Sequence, residues 1–353
     1  MWQGRYVLLC ALALLSGNFL GDAVHLSPAI YILLSIISSA FCLWFKRMPL
    51  LLSTLALLGA ASVQIDRMPC SWQNQESPLK IRASSIKEEC SDYFSTILPE
   101  GDELGVMKAI GIGDRRGLSY DLKEAYRQSG AMHLLALSGL HVGIIYALLS
   151  LLFKPLGGYT AARILRSLLS LSAIWLYAVV SGLSPSIFRA VIMITVYELS
   201  AFISGDRDGL AAMSASAIVI MVLRPESPRD IGFQLSYSAV FAIFVIYPRL
   251  RLLIHSGSRI LTRIWELLCV SLACQSTCGI LAWIYFGTFP KYFLLTALMA
   301  VPLASIVLYC IAGGTAIFLL AGNSPLIQEA VSESIGFIIR LLNTVVATIA
   351  GLS

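Results

Sequence analysis

Apolar residues occur in long uninterrupted runs along most of the chain, and short polar segments separate these runs. Several runs are shorter than the roughly 20 residues that a perpendicular helix needs to cross a bilayer, so those are tilted, re-entrant or half-inserted. The pattern predicts an all-α polytopic membrane protein, a bundle of about 10–11 transmembrane or re-entrant helices. The runs are Tyr6–Leu20, Pro28–Phe45, Leu50–Ile65, Ala131–Phe153, Ser167–Ser181, Pro185–Ser204, Gly209–Leu223, Ile231–Tyr247, Ile264–Phe286, Tyr292–Leu320 and Ile335–Leu352.

The composition supports this class. Apolar residues make up 58% of the 353 residues and charged residues only 13%, and the mean hydropathy is +0.81. A soluble domain has about 45–50% apolar and about 25% charged residues, so a soluble fold is excluded. The net charge of +5 does not by itself indicate nucleic acid, because Lys and Arg accumulate in cytoplasmic loops of membrane proteins.

The distribution of cationic residues predicts a cytoplasmic N-terminus. With that orientation, eleven Lys and Arg residues fall in cytoplasmic positions and three in short outer loops. The inner set is Arg5, Lys46, Arg47, Lys154, Arg163, Arg166, Arg207, Arg249, Arg251, Arg259 and Arg263, and the outer set is Arg224, Arg229 and Lys291. The first run resembles a signal peptide, but residues 17–20 make a poor cleavage site, so we expect a retained span in the inner membrane.

Three regions follow from this orientation: N-terminal membrane helices over residues 1–65, an extracytoplasmic segment over 66–130, and a transmembrane core over 131–353. In the middle segment, apolar residues around Leu104–Ile110 and Leu122–Tyr126 recur at helical spacing, which predicts amphipathic helices on the membrane face. Cys70 and Cys90 both lie in this segment, and the sequence is compatible with either a disulfide or two free thiols.

The densest group of polar side chains lies near the outer end of the fourth run, in the stretch from His133 to Gly143. If that stretch is one helix, His133, Ser138 and His141 share one side of it, together with Gly139. Polar groups in a bilayer line a water-filled cavity or form bonds between helices, and both interpretations are open here. Ser138 with His141 could also act as a nucleophile and base, whereas a metal site needs more ligands.

Arg189 lies one turn into another apolar run, after Ser184 as a predicted N-cap and Pro185 at the first helical position. A guanidinium there is suited to a phosphate contact, which makes Arg189 a candidate for binding a DNA backbone. The alternative is an anchor whose head group reaches the outer interface.

Asp230 opens the eighth run, where it is a good N-cap, and Gln234 and Ser236 follow within the first turns. Capping accounts for Asp230 without any further function. Gln234, and Gln275 in a later run, are pore-lining or interhelical hydrogen-bonding groups.

Two common sequence motifs of nucleotide and metal sites are absent from the chain. No Lys follows a Gly, so the phosphate-cradling GxxxxGK[ST] loop does not occur, and there is no HExxH. We therefore predict no cofactor, no metal and no ATP hydrolysis through that loop.

Taken together, several short segments resemble the ComEC-type competence family of DNA-uptake membrane proteins. They are Gly113-Asp114-Arg115, the stretch HLLALSGLHV from His133 to Val142, Ser186-x-x-Arg189-Ala190, Arg224-Pro225 with GFQLS from Gly232 to Ser236, and Gln275 with Pro302.

The resemblance implies an inner-membrane channel for single-stranded DNA, working with a cytoplasmic ATPase motor and a periplasmic DNA receptor. Two accessory domains of many family members have no counterpart: residues 66–102 are too short for an OB-like domain, and no metallo-β-lactamase-like domain precedes Ser353. We therefore expect the channel core alone.

The predicted function is passage of single-stranded DNA into the cytoplasm, without enzymatic activity, in contact with membrane lipid. The alternatives are a channel or transporter for a smaller solute and, more remotely, an intramembrane hydrolase. Whether copies form a homo-oligomer is open. The residues predicted to line or support the path are His133, Ser138, Gly139, His141, Arg189, Asp230, Gln234, Ser236 and Gln275.

Overall fold

The computed structural model describes residues 2–24, 27–28, 30–35, 38, 48–66, 78–157, 159–203, 207–254, 257–287, 292–320 and 324–352. Helices make up nearly all of these residues, and none of them is in a strand, which confirms the all-α prediction. The chain divides into two compact units: unit 1 comprises 1–75 and 192–244, and unit 2 comprises 76–191 and 245–353.

The helices, numbered in chain order, are α1 (Trp2–Ala23), α2 (Met48–Asp66), α3 (Pro78–Ile97), α4 (Asp102–Ile112), α5 (Tyr120–Gln128), α6 (Gly139–Leu152), α7 (Thr160–Val180), α8 (Pro185–Ile203), α9 (Gly209–Leu223), α10 (Ile231–Val245), α11 (Tyr247–Arg251), α12 (Arg259–Cys274), α13 (Ile280–Phe286), α14 (Phe293–Leu320) and α15 (Pro325–Ala350). Short 3-10 helices lie at Ala131–Leu134, Lys154–Leu156 and Ser227–Arg229, and a π-helical turn lies at Gln275–Gly279.

Seven segments of the described chain are long and apolar enough to cross a membrane. They expose large apolar side chains such as Leu151, Leu176 and Phe337, as helices in contact with lipid do. The chain is therefore a multi-pass membrane protein. The segments are Gly139–Leu156, Thr160–Val180, Pro185–Phe202, Ile231–Arg251, Arg259–Phe286, Phe293–Leu320 and Pro325–Ala350, and three shorter apolar helices cover Tyr6–Gly21, Leu55–Gln64 and Gly209–Leu223.

In unit 1, α1 and α2 pack at very close range because small residues line their contact. A Cβ added to Gly17 would lie 1.8 Å from the Ala56 carbonyl oxygen, and one added to Gly21 would lie 2.6 Å from the Ala60 Cα. Gly17 and Gly21 form a small-xxx-small pair, which lets two membrane helices approach backbone to backbone.

In unit 2, α4 is the centre of the core. Its buried residues, including Val106, Met107 and Ile110, pack in one cluster with residues of α14 and α15 such as Val307 and Ile339. Apolar residues are buried around all of α4, so the expectation of an amphipathic helix on the membrane face is wrong for this segment. The helix is an internal element of the bundle.

The segment after α4 is tied to the same core by hydrogen bonds. Tyr126 of α5 donates its hydroxyl to Asn343 Oδ1 of α15 at 2.9 Å, and Thr296 of α14 donates to the Ser129 carbonyl at 2.5 Å. These bonds fix the chain that leads into the first spanning segment of unit 2.

Candidate functional site

The polar stretch from His133 to Gly143 is not one helix. Ala131–Leu134 forms a 3-10 helix, residues 135–138 are irregular, and α6 starts at Gly139 with Ser138 as its N-cap. The predicted single-helix arrangement of His133, Ser138 and His141 was therefore wrong. His133 is exposed, and its Nδ1 lies 2.9 Å from the Gly130 carbonyl oxygen.

Ser138 and His141 form a close pair at the start of α6. The Ser138 backbone N–H donates to His141 Nδ1 at 3.3 Å, and Ser138 Oγ lies 3.0 Å from the same nitrogen. This is a capping box, in which the side chain at position N3, here His141, accepts a hydrogen bond from the backbone of the N-cap residue. Because His141 Nδ1 accepts a hydrogen bond from a backbone N–H, it carries no proton. The Ser138 hydroxyl can therefore donate to the same lone pair of this nitrogen.

This separation lies within the about 2.6–3.2 Å expected of a nucleophile and its base. The geometric requirement for the hydrolase interpretation is thus met. The same contacts also account fully for a helix cap, and the His141 side chain is buried.

Three of the motif segments meet in unit 2. A Cβ added to Gly113 would lie 2.4 Å from Leu137 Cδ1, and one added to Gly139 would lie 3.5 Å from Ala190 Cβ. We call Gly113, Leu137, Gly139 and Ala190 the motif junction. It places the capped start of α6 against the turn of α8 that carries Arg189.

Arg189 is 7% exposed, and its roles as a DNA contact or as an anchor at the outer interface stay predictions. Helix α8 begins at Pro185 as predicted. The predicted cap is not formed, because the buried Ser184 Oγ makes no hydrogen bond. The preceding turn contains Gly182 and Leu183 with φ of 73° and 52°, a conformation that costs energy at Leu183.

The predicted path residues of unit 1 make capping contacts. Asp230 accepts from the backbone N–H groups of Gly232 and Phe233 at 3.1 and 3.2 Å, which confirms it as the N-cap of α10. Gln234 donates its amide to the Pro228 carbonyl at 2.9 Å, so it holds the 3-10 turn that precedes the helix, and Ser236 is half-buried.

Gln275 opens the π-helical turn between α12 and α13 in unit 2. Its half-buried side chain covers Gly279, where an added Cβ would lie 2.8 Å from Nε2, and that Nε2 is buried without a hydrogen-bond partner. Single π-turns inside helices occur often at functional sites. The sequence indicated the polar residues here but not the change of helix type.

The predicted site residues thus do not form one cluster. Ser138, Gly139, His141 and Arg189 come together around the motif junction, whereas His133 belongs to the preceding 3-10 helix and Gln275 lies in the π-helical turn. Asp230, Gln234 and Ser236 belong to unit 1. Cys70 lies outside the described residues, so its pairing with Cys90 stays a prediction.

The sequence indicated the loop after α4 only through the motif Gly113-Asp114-Arg115 and predicted no contacts for it. The Asp114 carboxylate is buried and accepts from Arg116 Nε at 2.9 Å, Arg116 Nη2 at 2.8 Å, the Arg116 backbone N–H at 3.1 Å and Ser91 Oγ at 3.2 Å. The hydrogen bond from the Arg116 side chain is the main reason that the pKa of Asp114 falls to about 2. The signal for this loop was Gly113, in the left-handed conformation at φ 72°, followed at once by alternating charges.

An open cleft of about 610 Å³ lies beside this loop, lined by Lys87, Glu88, Gly113, Asp114, Arg115 and Arg116. Lys87 donates to the Gly113 carbonyl at 3.2 Å. In the described part of the chain, no group of three His, Cys, Asp or Glu side chains is placed to hold a metal ion.

A family model described as Competence protein matches residues 110–353. The chain is 32% identical over 177 residues to ComE operon protein 3 of Bacillus subtilis (strain 168), which covers 50% of this chain and 22% of the relative. It is 27% identical over 147 residues to Competence protein ComA of Neisseria gonorrhoeae, covering 40% of this chain and 21% of that protein.

A third relative, an uncharacterized protein of Aquifex aeolicus (strain VF5), is 26% identical over 167 residues, covering 45% of this chain and 38% of the relative. The matched region therefore spans about a fifth of the length of the relatives from Bacillus subtilis and Neisseria gonorrhoeae. No solved structure matches the chain.

Proposed function

The chain belongs to the ComEC-type competence family of membrane proteins, and from this membership we propose that it forms part of an inner-membrane channel that passes single-stranded DNA into the cytoplasm during natural transformation. The family model and the relative from Neisseria gonorrhoeae are both described as competence proteins. The proposal concerns the matched region, because the chain spans only part of its relatives.

The observation that carries the proposal is the motif junction. The segments that define the resemblance are far apart in the sequence, yet Gly113 packs on Leu137 and Gly139 packs on Ala190 in one helical unit. Arg189, beside Ala190, places a buried cation in a helix long enough to span the membrane. A charged side chain within a transmembrane helix is energetically costly, and such residues usually belong to a pathway for ions or substrate.

The proposed partners follow from the same mechanism. A polyanion crossing about 30 Å of hydrocarbon needs an external driving force, and the sequence holds no GxxxxGK[ST] loop. A cytoplasmic ATPase motor would pull the strand, and a periplasmic receptor would present it. The proposed orientation has the N-terminus in the cytoplasm.

The test compares arginine variants in a transformable strain whose only copy of this gene is the one supplied. Arg189→Gln removes the buried charge, Arg189→Lys retains it, and Arg163→Gln removes an exposed charge of the neighbouring helix α7. We expect Arg189→Gln to reduce arrival of labelled DNA in the cytoplasm by more than about tenfold. Surface binding and the membrane level of the protein should stay at wild-type values.

Arg163→Gln should import DNA normally, and Arg189→Lys should retain part of the activity. Normal import in a strain without the gene would show that DNA is not the transported solute. A channel for a smaller solute would then be the remaining transport function.

A second candidate, an intramembrane hydrolase, is supported by one observation, the 3.0 Å separation of Ser138 Oγ and His141 Nδ1. Such a mechanism needs Ser138 as nucleophile, so every variant without that hydroxyl would be inactive. The comparison of Ser138 variants in the Discussion separates the two.

A further inference from the structure

The cleft beside the loop after α4 is lined mainly by charged side chains. Three of its six lining residues are cationic, Lys87, Arg115 and Arg116, and two are acidic, Glu88 and Asp114. Asp114 is fully engaged by Arg116 through two side-chain hydrogen bonds. This pairing neutralises one charge of each sign and leaves Lys87 and Arg115 against Glu88.

Packing holds Lys87 at the cleft. Its side chain lies over the turn between α7 and α8, where an added Cβ on Gly182 would come within 3.1 Å of Lys87 Cδ. Desolvation lowers the pKa of Lys87, an effect that the charge of Asp114 opposes and those of Arg116 and Arg115 reinforce. The half-buried Lys87 ammonium and its cationic neighbours favour binding of an anion in the cleft.

Arg115 and Arg116 supply guanidinium groups at the open side. Both side chains are exposed, and the Arg116 group is fixed on Asp114 through Nε and Nη2. A guanidinium presents donors in a planar fork that matches the oxygens of a phosphate. The volume of about 610 Å³ is within the range of sites that hold a small ligand or one unit of a polymer.

We propose that the cleft formed by Lys87, Arg115 and Arg116 binds phosphodiester groups of single-stranded DNA and delivers the strand to the motif junction. The proposal rests on the proposed function, since it assigns a binding site to the same substrate. Gly113 links the two places, because its carbonyl accepts from Lys87 while its α-carbon packs on Leu137, the residue before Ser138. Arg115 is the exposed phosphate ligand, and Asp114 positions Arg116.

The test measures binding of a fluorescein-labelled oligothymidylate to the full chain in nanodiscs, at several salt concentrations. Arg115→Gln removes one cleft cation, and Glu88→Gln removes the opposing acidic group. Arg82→Gln is the matched control, an exposed arginine on the same helix as Lys87 and absent from the cleft lining.

Arg115→Gln should weaken binding about three- to tenfold at moderate salt and reduce the slope of log affinity against log salt by about 0.7, the value for one single-strand phosphate contact. Glu88→Gln should tighten binding, and Arg82→Gln should match the wild type. Equal affinity and slope for Arg115→Gln and Arg82→Gln would overturn the proposal while leaving transport by the chain intact.

The nanodiscs are prepared with phosphatidylcholine alone and with added phosphatidylglycerol, because a lipid head group also carries a phosphodiester. The Arg115→Gln effect on the oligonucleotide should be the same in both. If instead phosphatidylglycerol displaces the oligonucleotide from the wild type and not from Arg115→Gln, the cleft is a lipid site and the proposal is wrong. Failure of wild-type DNA import in cells, with normal oligonucleotide binding, would contradict the channel function alone.

Discussion

Ser138 has two possible roles that one pair of substitutions separates. Ser138→Ala removes the capping oxygen and should cost about 1 kcal/mol of stability, whereas Ser138→Asn keeps a capping group and loses the nucleophile. If the contact with His141 is a cap, Ser138→Asn should import DNA like the wild type. Thermal unfolding of the purified protein and uptake in cells give the two measurements, and an inactive but stable Ser138→Asn would favour the hydrolase.

Asp114 makes stability dependent on pH. Its pKa is lowered from 3.8 to about 2, mainly by the hydrogen bond from the Arg116 side chain, so its contribution is fully present above pH 3.8 and is lost as pH falls through about 2. A shift of that size corresponds to at most on the order of 2 kcal/mol, because the exposed Arg116 side chain leaves the pair partly screened by solvent. Asp114→Asn should lose a similar amount at neutral pH.

The measurement for this prediction is the unfolding temperature of the two proteins from neutral pH down to acidic pH. The wild type should approach the Asp114→Asn variant as pH falls below 3.8. Asp121→Asn, at an exposed position of α5, is the control and should follow the wild type throughout. A constant difference between wild type and Asp114→Asn down to pH 2 would show that the carboxylate charge is not what stabilises the loop.

At the scale of single residues, some structural roles were predictable from the sequence and others were not. Asp230 was identified correctly as a cap because its partners are the next few backbone N–H groups, which the sequence places by itself. The interruption between His133 and Ser138 was not found, because apolar Leu134, Leu135 and Leu137 continue the run while their backbone leaves the helix. Those leucines are buried by packing, and a hydropathy pattern does not distinguish that burial from a membrane helix.

At the scale of helices, α1 and α2 depend on glycine for their close contact. Gly17→Ala places a methyl group 1.8 Å from the Ala56 carbonyl oxygen, so the helices must separate. We expect a loss of about 1–3 kcal/mol, as in other overpacked sites, and a lower amount of protein in the membrane.

The control for Gly17→Ala is Gly143→Ala in α6, where an added Cβ meets no atom within 4 Å. Alanine favours a helix over glycine by up to about 1 kcal/mol, so this variant should be as stable as the wild type or slightly more stable. Thermal unfolding of both purified variants checks the comparison. Equal stability of Gly17→Ala and the wild type would mean that α1 and α2 are not packed as described.

For helix α4, the sequence pattern predicted that a helix forms but not how it is buried. Its helical character was predictable from the spacing of Leu104, Met107 and Ile110. Burial of all its sides depends on α14 and α15, which begin only at residues 293 and 325. The one cationic side chain of α4, Lys108, donates its ammonium to Ser95 of α3 at 2.8 Å. The environment of α4 depends on packing against residues far away in the sequence, and a single sequence does not show which residues those are.

For the whole molecule, the class of fold was predictable because bilayer thickness constrains the length of every apolar helix. The site was predictable only as separate motifs. His133, Ser138 and Arg189 were selected by residue type, while the loop of Asp114 and Arg116 was recognised from packing. Side chains that pair with distant residues need the folded chain before their role is visible.

The orientation of unit 2 relates the cleft to the direction of transport. The positive-inside rule predicts that the segment before α6 lies outside and that the turn after α11 lies inside. In a variant without native cysteines, Tyr120→Cys should react with a membrane-impermeant maleimide in intact cells, and Leu253→Cys should react only after permeabilisation; these side chains are 80% and 70% exposed. The reverse labelling would place the cleft of Arg115 in the cytoplasm, where it would receive the strand as it leaves the channel and not as it enters.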